Sequence, residues 1–249
     1  MKRLLALILL LLPTAVFASG GGGSPPPWDP PRKIQVVFVY NANNQKDGTV
    51  CWSISSRYCK QVRFHAREMV DYMNYTFEDG RINAKLVWTA WWGMNTNIAP
   101  HEVFNWENQQ RLREFAQSRG AEFTFLVNSR IVDGVRGSCI KGMPACWFAE
   151  RSDMWQMSKQ VAAHELGHWF GLRHYHWEWH DHSQRHGSGW GTWAWVDLMG
   201  QPGRNGRGLI TKDLYADHQR RCDAFSMCGD AQLGDGGTWL RQRLGSYKR

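Results

Sequence analysis

The sequence predicts an α+β fold: a mixed, mostly parallel twisted sheet with helices packed on it, followed by a small irregular C-terminal subdomain that ends in a helix. Three observations predict it. Short β-branched and aromatic runs alternate with longer stretches that lack Gly and Pro. A long helical stretch falls late, after the last strand-like run. Beyond Gly171 the chain turns rich in Gly, Trp and His and loses its periodicity. The chain has 249 residues, 43% hydrophobic and 21% charged, which suffices for a sizeable core and excludes a disordered chain.

The first residues read as an address. Met1-Lys2-Arg3 is a basic start, Leu4 to Leu12 is an apolar run interrupted only by Ala6, and Val16-Phe17-Ala18 is a small-residue cleavage site. Residues 1–18 are therefore expected to be a signal peptide, which makes the protein secreted or periplasmic. The apolar run is short for a membrane span, so no stable membrane anchor is expected once the leader is gone. Residues 19–32, SGGGGSPPPWDPPR, read as a flexible and then stiff linker. Residues 33–249 then form the functional domain, divided at about 171 and 172 into an upper and a lower subdomain.

Within that domain, 33–40 (KIQVVFVY) reads as a first strand. Residues 57–77 carry Val62, Met69, Val70 and Met73 at helical spacing. Residues 82–92 read as a second strand. Pro100 opens a helix that runs to about Ser118, where Gly120 stops it. Residues 122–127 and 145–149 read as further strands, 154–170 as the long helix, and 211–225 as a last helix. The segment 241–249 reads as a solvated basic tail.

Thirty Lys and Arg stand against 22 Asp and Glu, a net charge of +8. Loss of Lys2 and Arg3 with the leader lowers it to +6. The basic residues are dispersed, without a run of four or a nucleic-acid module, so no nucleic-acid partner is expected. The six Cys fall as three close pairs: Cys51 and Cys59, Cys139 and Cys146, Cys222 and Cys228. In an oxidising compartment they are expected as disulfides. Spacing favours the local pairings, and other connectivities stay open.

Residues 164–174 read HELGHWFGLRH. His164 and His168 lie four apart, so on a helix both imidazoles project from one face and reach one Zn²⁺. Glu165 lies beside such a metal without ligating it. Gly171 tolerates the turn that brings His174 round as a third ligand. Three protein ligands leave the fourth position of a tetrahedral zinc open, as catalytic zinc sites do. Ala162, Leu166, Trp169 and Phe170 form an apolar side away from the histidines.

This motif resembles the extended zinc-binding pattern of the metzincin clan of metallopeptidases. Tyr175, directly after His174, matches none of the large families, so the resemblance stops at the clan. It implies a metzincin-like fold with a zinc helix. It implies one catalytic zinc on His164, His168 and His174, with Glu165 as general base. It further implies a secreted endopeptidase that hydrolyses a protein or peptide substrate without a covalent intermediate. Met199, in VDLMGQPG, is implied as the apolar support of a Met-turn beneath the zinc. An edge strand before the zinc helix, expected at 145–149, would pair with substrate backbone.

A catalytically inactive zinc-binding or adhesion domain on the same fold is the alternative, and Glu165 argues against it. His176, His180, His182 and His186 match no defined ligand pattern and read as a surface loop beside the site. No pattern supports a structural Ca²⁺. A monomer is expected.

Overall fold

The computed structural model describes residues 30–40, 57–92, 98–128, 135–150, 155–173, 195–196, 198–199, 210–211, 215, 217–221, 227–228 and 236–246. The signal-peptide and most linker residues, Cys51, Cys222 and residues 174–194 with their histidines lie outside them.

The strands are β1 (Arg32–Tyr40), β2 (Ala84–Trp92), β3 (Phe123–Asn128), β4 (Gly137–Ser138) and β5 (Ala145–Ala149). They form one sheet in the order β2-β1-β3-β5-β4. All neighbours are parallel except β4, which runs antiparallel to β5. The fold class is thus the mixed, mostly parallel sheet with packed helices that the sequence predicts.

The helices are α1 (Arg57–Asp79), α2 (Trp106–Ser118), α3 (Trp155–Phe170) and α4 (Gly236–Leu244). The chain moves from β1 outward to β2, then returns across β1 to β3. Because parallel crossovers are right-handed, that reversal puts α1 and α2 on opposite faces. The core divides accordingly. Ile34, Val36, Phe38 and Tyr40 of β1 face Met69, Met73 and Phe77 of α1 and Leu166 of α3. Val37 and Val39 face Leu112 and Ala116 of α2. This is the period-two alternation of a strand buried on both faces.

Two buried side chains tie helix to sheet. Gln109 of α2 donates from Nε2 to the carbonyls of Val103 and Ala145, and its Oε1 accepts from the Ala145 N–H. The Asn74 amide of α1 bonds both the N–H and the carbonyl of Leu86 in β2.

Four sequence expectations are corrected. The helix expected at 211–225 is replaced by short strands: β7 (Ile210–Thr211), β8 (Asp217–Arg221) and β9 (Met227–Cys228). β7 pairs with β6 (Trp195–Val196), and β8 pairs antiparallel with β9. The closing helix instead lies at Gly236–Leu244. The expected solvated tail therefore begins inside a helix whose Leu240 and Leu244 are buried, and Arg241 Nη1 donates to the Gly80 carbonyl. Residues 145–149 form an interior strand. β4 is the edge on the side of α3, and two residues leave too little periodicity for a sequence reading. The helix expected from Pro100 begins as a 3₁₀ turn, Pro100–Glu102, and becomes α-helical only at Trp106.

Leu172, Leu198, Met199, Tyr215, Leu240 and Leu244 belong to the same apolar cluster as β1, α1 and α3. The described residues on either side of position 171 therefore share one core.

Candidate metal and catalytic site

α3 carries the site. Ala162, Ala163, Leu166 and Phe170 bury its apolar side, and Trp169 stacks on Phe123 of β3 with ring centroids 4.5 Å apart. The helix ends in a Schellman motif. The Gly171 N–H bonds the His168 carbonyl, the Leu172 N–H bonds the Gly167 carbonyl, and Gly171 takes φ +100°. The glycine thus ends the helix in the left-handed conformation expected of it.

His164 and His168 lie side by side on the opposite face, ring centroids 4.7 Å apart. Each ring is oriented by a backbone carbonyl. His164 Nδ1 bonds Leu198 O, and His168 Nδ1 bonds Leu172 O at 2.8 Å. In a neutral ring a donating Nδ1–H leaves the lone pair on Nε2, the arrangement typical of a metal-binding histidine.

Burial pushes the His164 pKa down to about 4, aided by the neighbouring His168 and opposed by the bond to Leu198. Burial also lowers that of His168. Both are therefore neutral, ligand-competent imidazoles at physiological pH.

Glu165 is 3% exposed. Its Oε2 is buried without a hydrogen-bond partner among the described residues. Burial raises its pKa well above the ordinary carboxylate value. An unpartnered buried carboxylate oxygen on the residue between two such histidines in the helix is consistent with a divalent cation nearby, which would stabilise the ionised form.

The turn at Leu198 and Met199 lies beneath the helix. The Leu198 carbonyl orients His164, and the fully buried Met199 side chain packs against Gly167. A Cβ at position 167 would collide with Met199 Sδ and stand 3.0 Å from Tyr215 Cε1. Tyr215 donates its hydroxyl to the Ala163 carbonyl at 2.8 Å.

Among the described residues no group of three or more His, Cys, Asp or Glu side chains gathers to hold a metal. His174, the expected third ligand, lies outside them. Cys139 and Cys146 are joined as a disulfide with Cα atoms 4.6 Å apart, as local pairing anticipated. The partners of the other four Cys are not described. Two residues at the site escaped the sequence reading. Gly137 of β4 faces Glu165, and Tyr215 braces α3. Neither carries a motif, because both are defined by what lies across the fold.

No protein-family model and no curated protein matches the chain. A chain in a solved chaperone–substrate complex is similar in fold, with a TM-score of 0.62 at 15% identity. The match covers 86% of this chain and 35% of that one, so this chain spans about a third of its length.

Proposed function

We propose that the chain is a zinc-dependent endopeptidase, exported by residues 1–18, with His164, His168 and His174 as ligands and Glu165 as general base. The observation that supports it most is the pairing of geometry with motif. Two histidines one helical turn apart each direct Nδ1 to a backbone carbonyl, with a buried acid between them in sequence.

When bound, zinc supplies Lewis acidity, which polarises a peptide carbonyl and makes water a better acid. The chain's own residues do the rest. His164 and His168 offer Nε2 from one rigid helix face. Glu165 accepts a proton from the attacking water and passes it to the departing amine. Burial alone favours its protonated form, and a bound cation would offset that and leave it ionised, able to accept the proton. Met199 and Tyr215 fix the helix from below. No covalent intermediate is needed, and the substrate class is protein or peptide.

The test is casein cleavage by the purified protein, with and without a chelator. The reading expects chelator-sensitive cleavage. Glu165→Gln should retain zinc and lose about 100- to 10,000-fold in kcat. His164→Ala should lose zinc as well. Zinc binding without cleavage would instead identify an inactive zinc-binding domain, and Glu165→Gln with full activity would remove Glu165 from the mechanism.

A further inference from the structure

We propose that Gly137 is a positioning residue for the Glu165 carboxylate, which sits in the space that the missing side chain leaves. The inference rests on the endopeptidase reading and adds to it a second element, the edge strand β4.

A Cβ built on Gly137 would stand 2.5 Å from Glu165 Oε1, 2.8 Å from Cγ and 2.9 Å from Cδ. Real carbon atoms do not approach so closely, so any side chain at 137 displaces either the carboxylate or the strand. The requirement is for space alone. Gly137 is not among the glycines with positive φ, so its backbone conformation is open to alanine.

The strand cannot easily yield. Gly137 pairs with Phe148 and Ser138 with Trp147. The next opposed pair along that register is Cys139 and Cys146, which the disulfide joins. Beyond it, the hairpin tip is fastened to the end of α3. The Gly142 N–H bonds the Trp169 carbonyl, and Trp169 Nε1 donates to the Met143 carbonyl at 3.1 Å. Lys141 also packs over Gly171, where a Cβ would meet Lys141 Cδ at 2.8 Å. Wall and acid are therefore parts of one braced unit, and the carboxylate is the softer of the two. Oε2 has no hydrogen-bond partner among the described residues, and the carboxylate fills the space where a Gly137 side chain would stand.

The experiment uses the zinc-loaded full chain and the variants Gly137→Ala, Glu165→Ala and Glu165→Asp, with Gly137→Ala also combined with each. Zinc content, kcat, KM and Tm are measured. Gly137→Ala is expected to keep its zinc and its KM while kcat falls about 100-fold, the cost of a misplaced catalytic group. The shorter acid should restore tolerance, so that Gly137→Ala costs less than tenfold in the Glu165→Asp background. In the metal-free protein, Gly137→Ala should lower Tm in the native background and leave it unchanged in the Glu165→Ala background. Unchanged kcat in Gly137→Ala, or an equal Tm loss in both backgrounds, would overturn the proposal. If Gly137→Ala does not fold, recovery in Gly137→Ala/Glu165→Ala supports it and failure there overturns it. A native protein that cleaves nothing would defeat the endopeptidase reading instead, while the melting comparison still decides whether residues 137 and 165 bear on each other.

Discussion

His164 and His168 are held by carbonyls from two different places in the chain, Leu198 from a distant turn and Leu172 from the helix's own cap. Their burial has consequences for pH. In the metal-free protein His164 has its pKa lowered to about 4 from an ordinary 6.5. Between those values the unfolded chain binds more protons, so this group's contribution to stability is present above pH 6.5 and is lost as pH falls towards 4. Glu165 acts in the opposite sense. Its raised pKa means that the folded state keeps a proton which the unfolded chain releases above about 4.5, so its contribution declines as pH rises. Metal-free Glu165→Gln should therefore gain in urea midpoint over the native protein at pH 8, and the gain should vanish at pH 4. Equal midpoints at both pH values would contradict the account of Glu165 burial. At this scale the sequence was informative where chemistry repeats at fixed spacing, as in His164, Glu165, His168 and Gly171. It was silent on Gly137, Tyr215 and Gln109, whose roles depend on partners across the fold, 28 to 52 positions away.

Elements divide in the same way. β1, α1, β5 and α3 carry long apolar or helical patterns, and their bounds agree with the sequence within two residues. β8 is different. DHQRR has neither alternation nor β-branched residues, and its pairing with β9 comes from tertiary context rather than propensity. α4 opens on Gly236-Gly237, poor helix formers, and its basic residues conceal the anchors Leu240 and Leu244. Two predictions belong here. The floor of α3 is set by Gly167, so Gly167→Ala should cost about 1–3 kcal/mol through overpacking against Met199 and Tyr215, measured by denaturant unfolding. A neutral effect would mean that Met199 does not support the helix. The Cys139–Cys146 bridge closes a short loop in the edge hairpin, so replacing both with Ser should lower stability by about 2 kcal/mol. If the hairpin braces Glu165, that variant should lose kcat while retaining zinc.

Across the whole molecule, the C-terminal segment closes on the start of the sheet. Ile82 bridges Ser246, the Asn83 N–H bonds the Gly245 carbonyl, and Arg241 reaches Gly80. Leu240 lies in the same cluster as Phe77 and Leu166, so Leu240→Ala should cost about 2–5 kcal/mol although it is remote in sequence from the motif. A loss below 1 kcal/mol would mean that α4 is an appendage. The similarity in fold to a longer chain of 15% identity carries the architecture alone. The proposed chemistry therefore rests on the residues of α3, the turn at Met199 and the edge strand. The most direct measurement is cleavage of a peptide library by the zinc-loaded protein, run beside its Glu165→Gln counterpart at equal zinc content. The account predicts internal peptide-bond cleavage by the native protein and its loss in the variant. No cleavage by the zinc-loaded native protein, or equal cleavage by both, would contradict it.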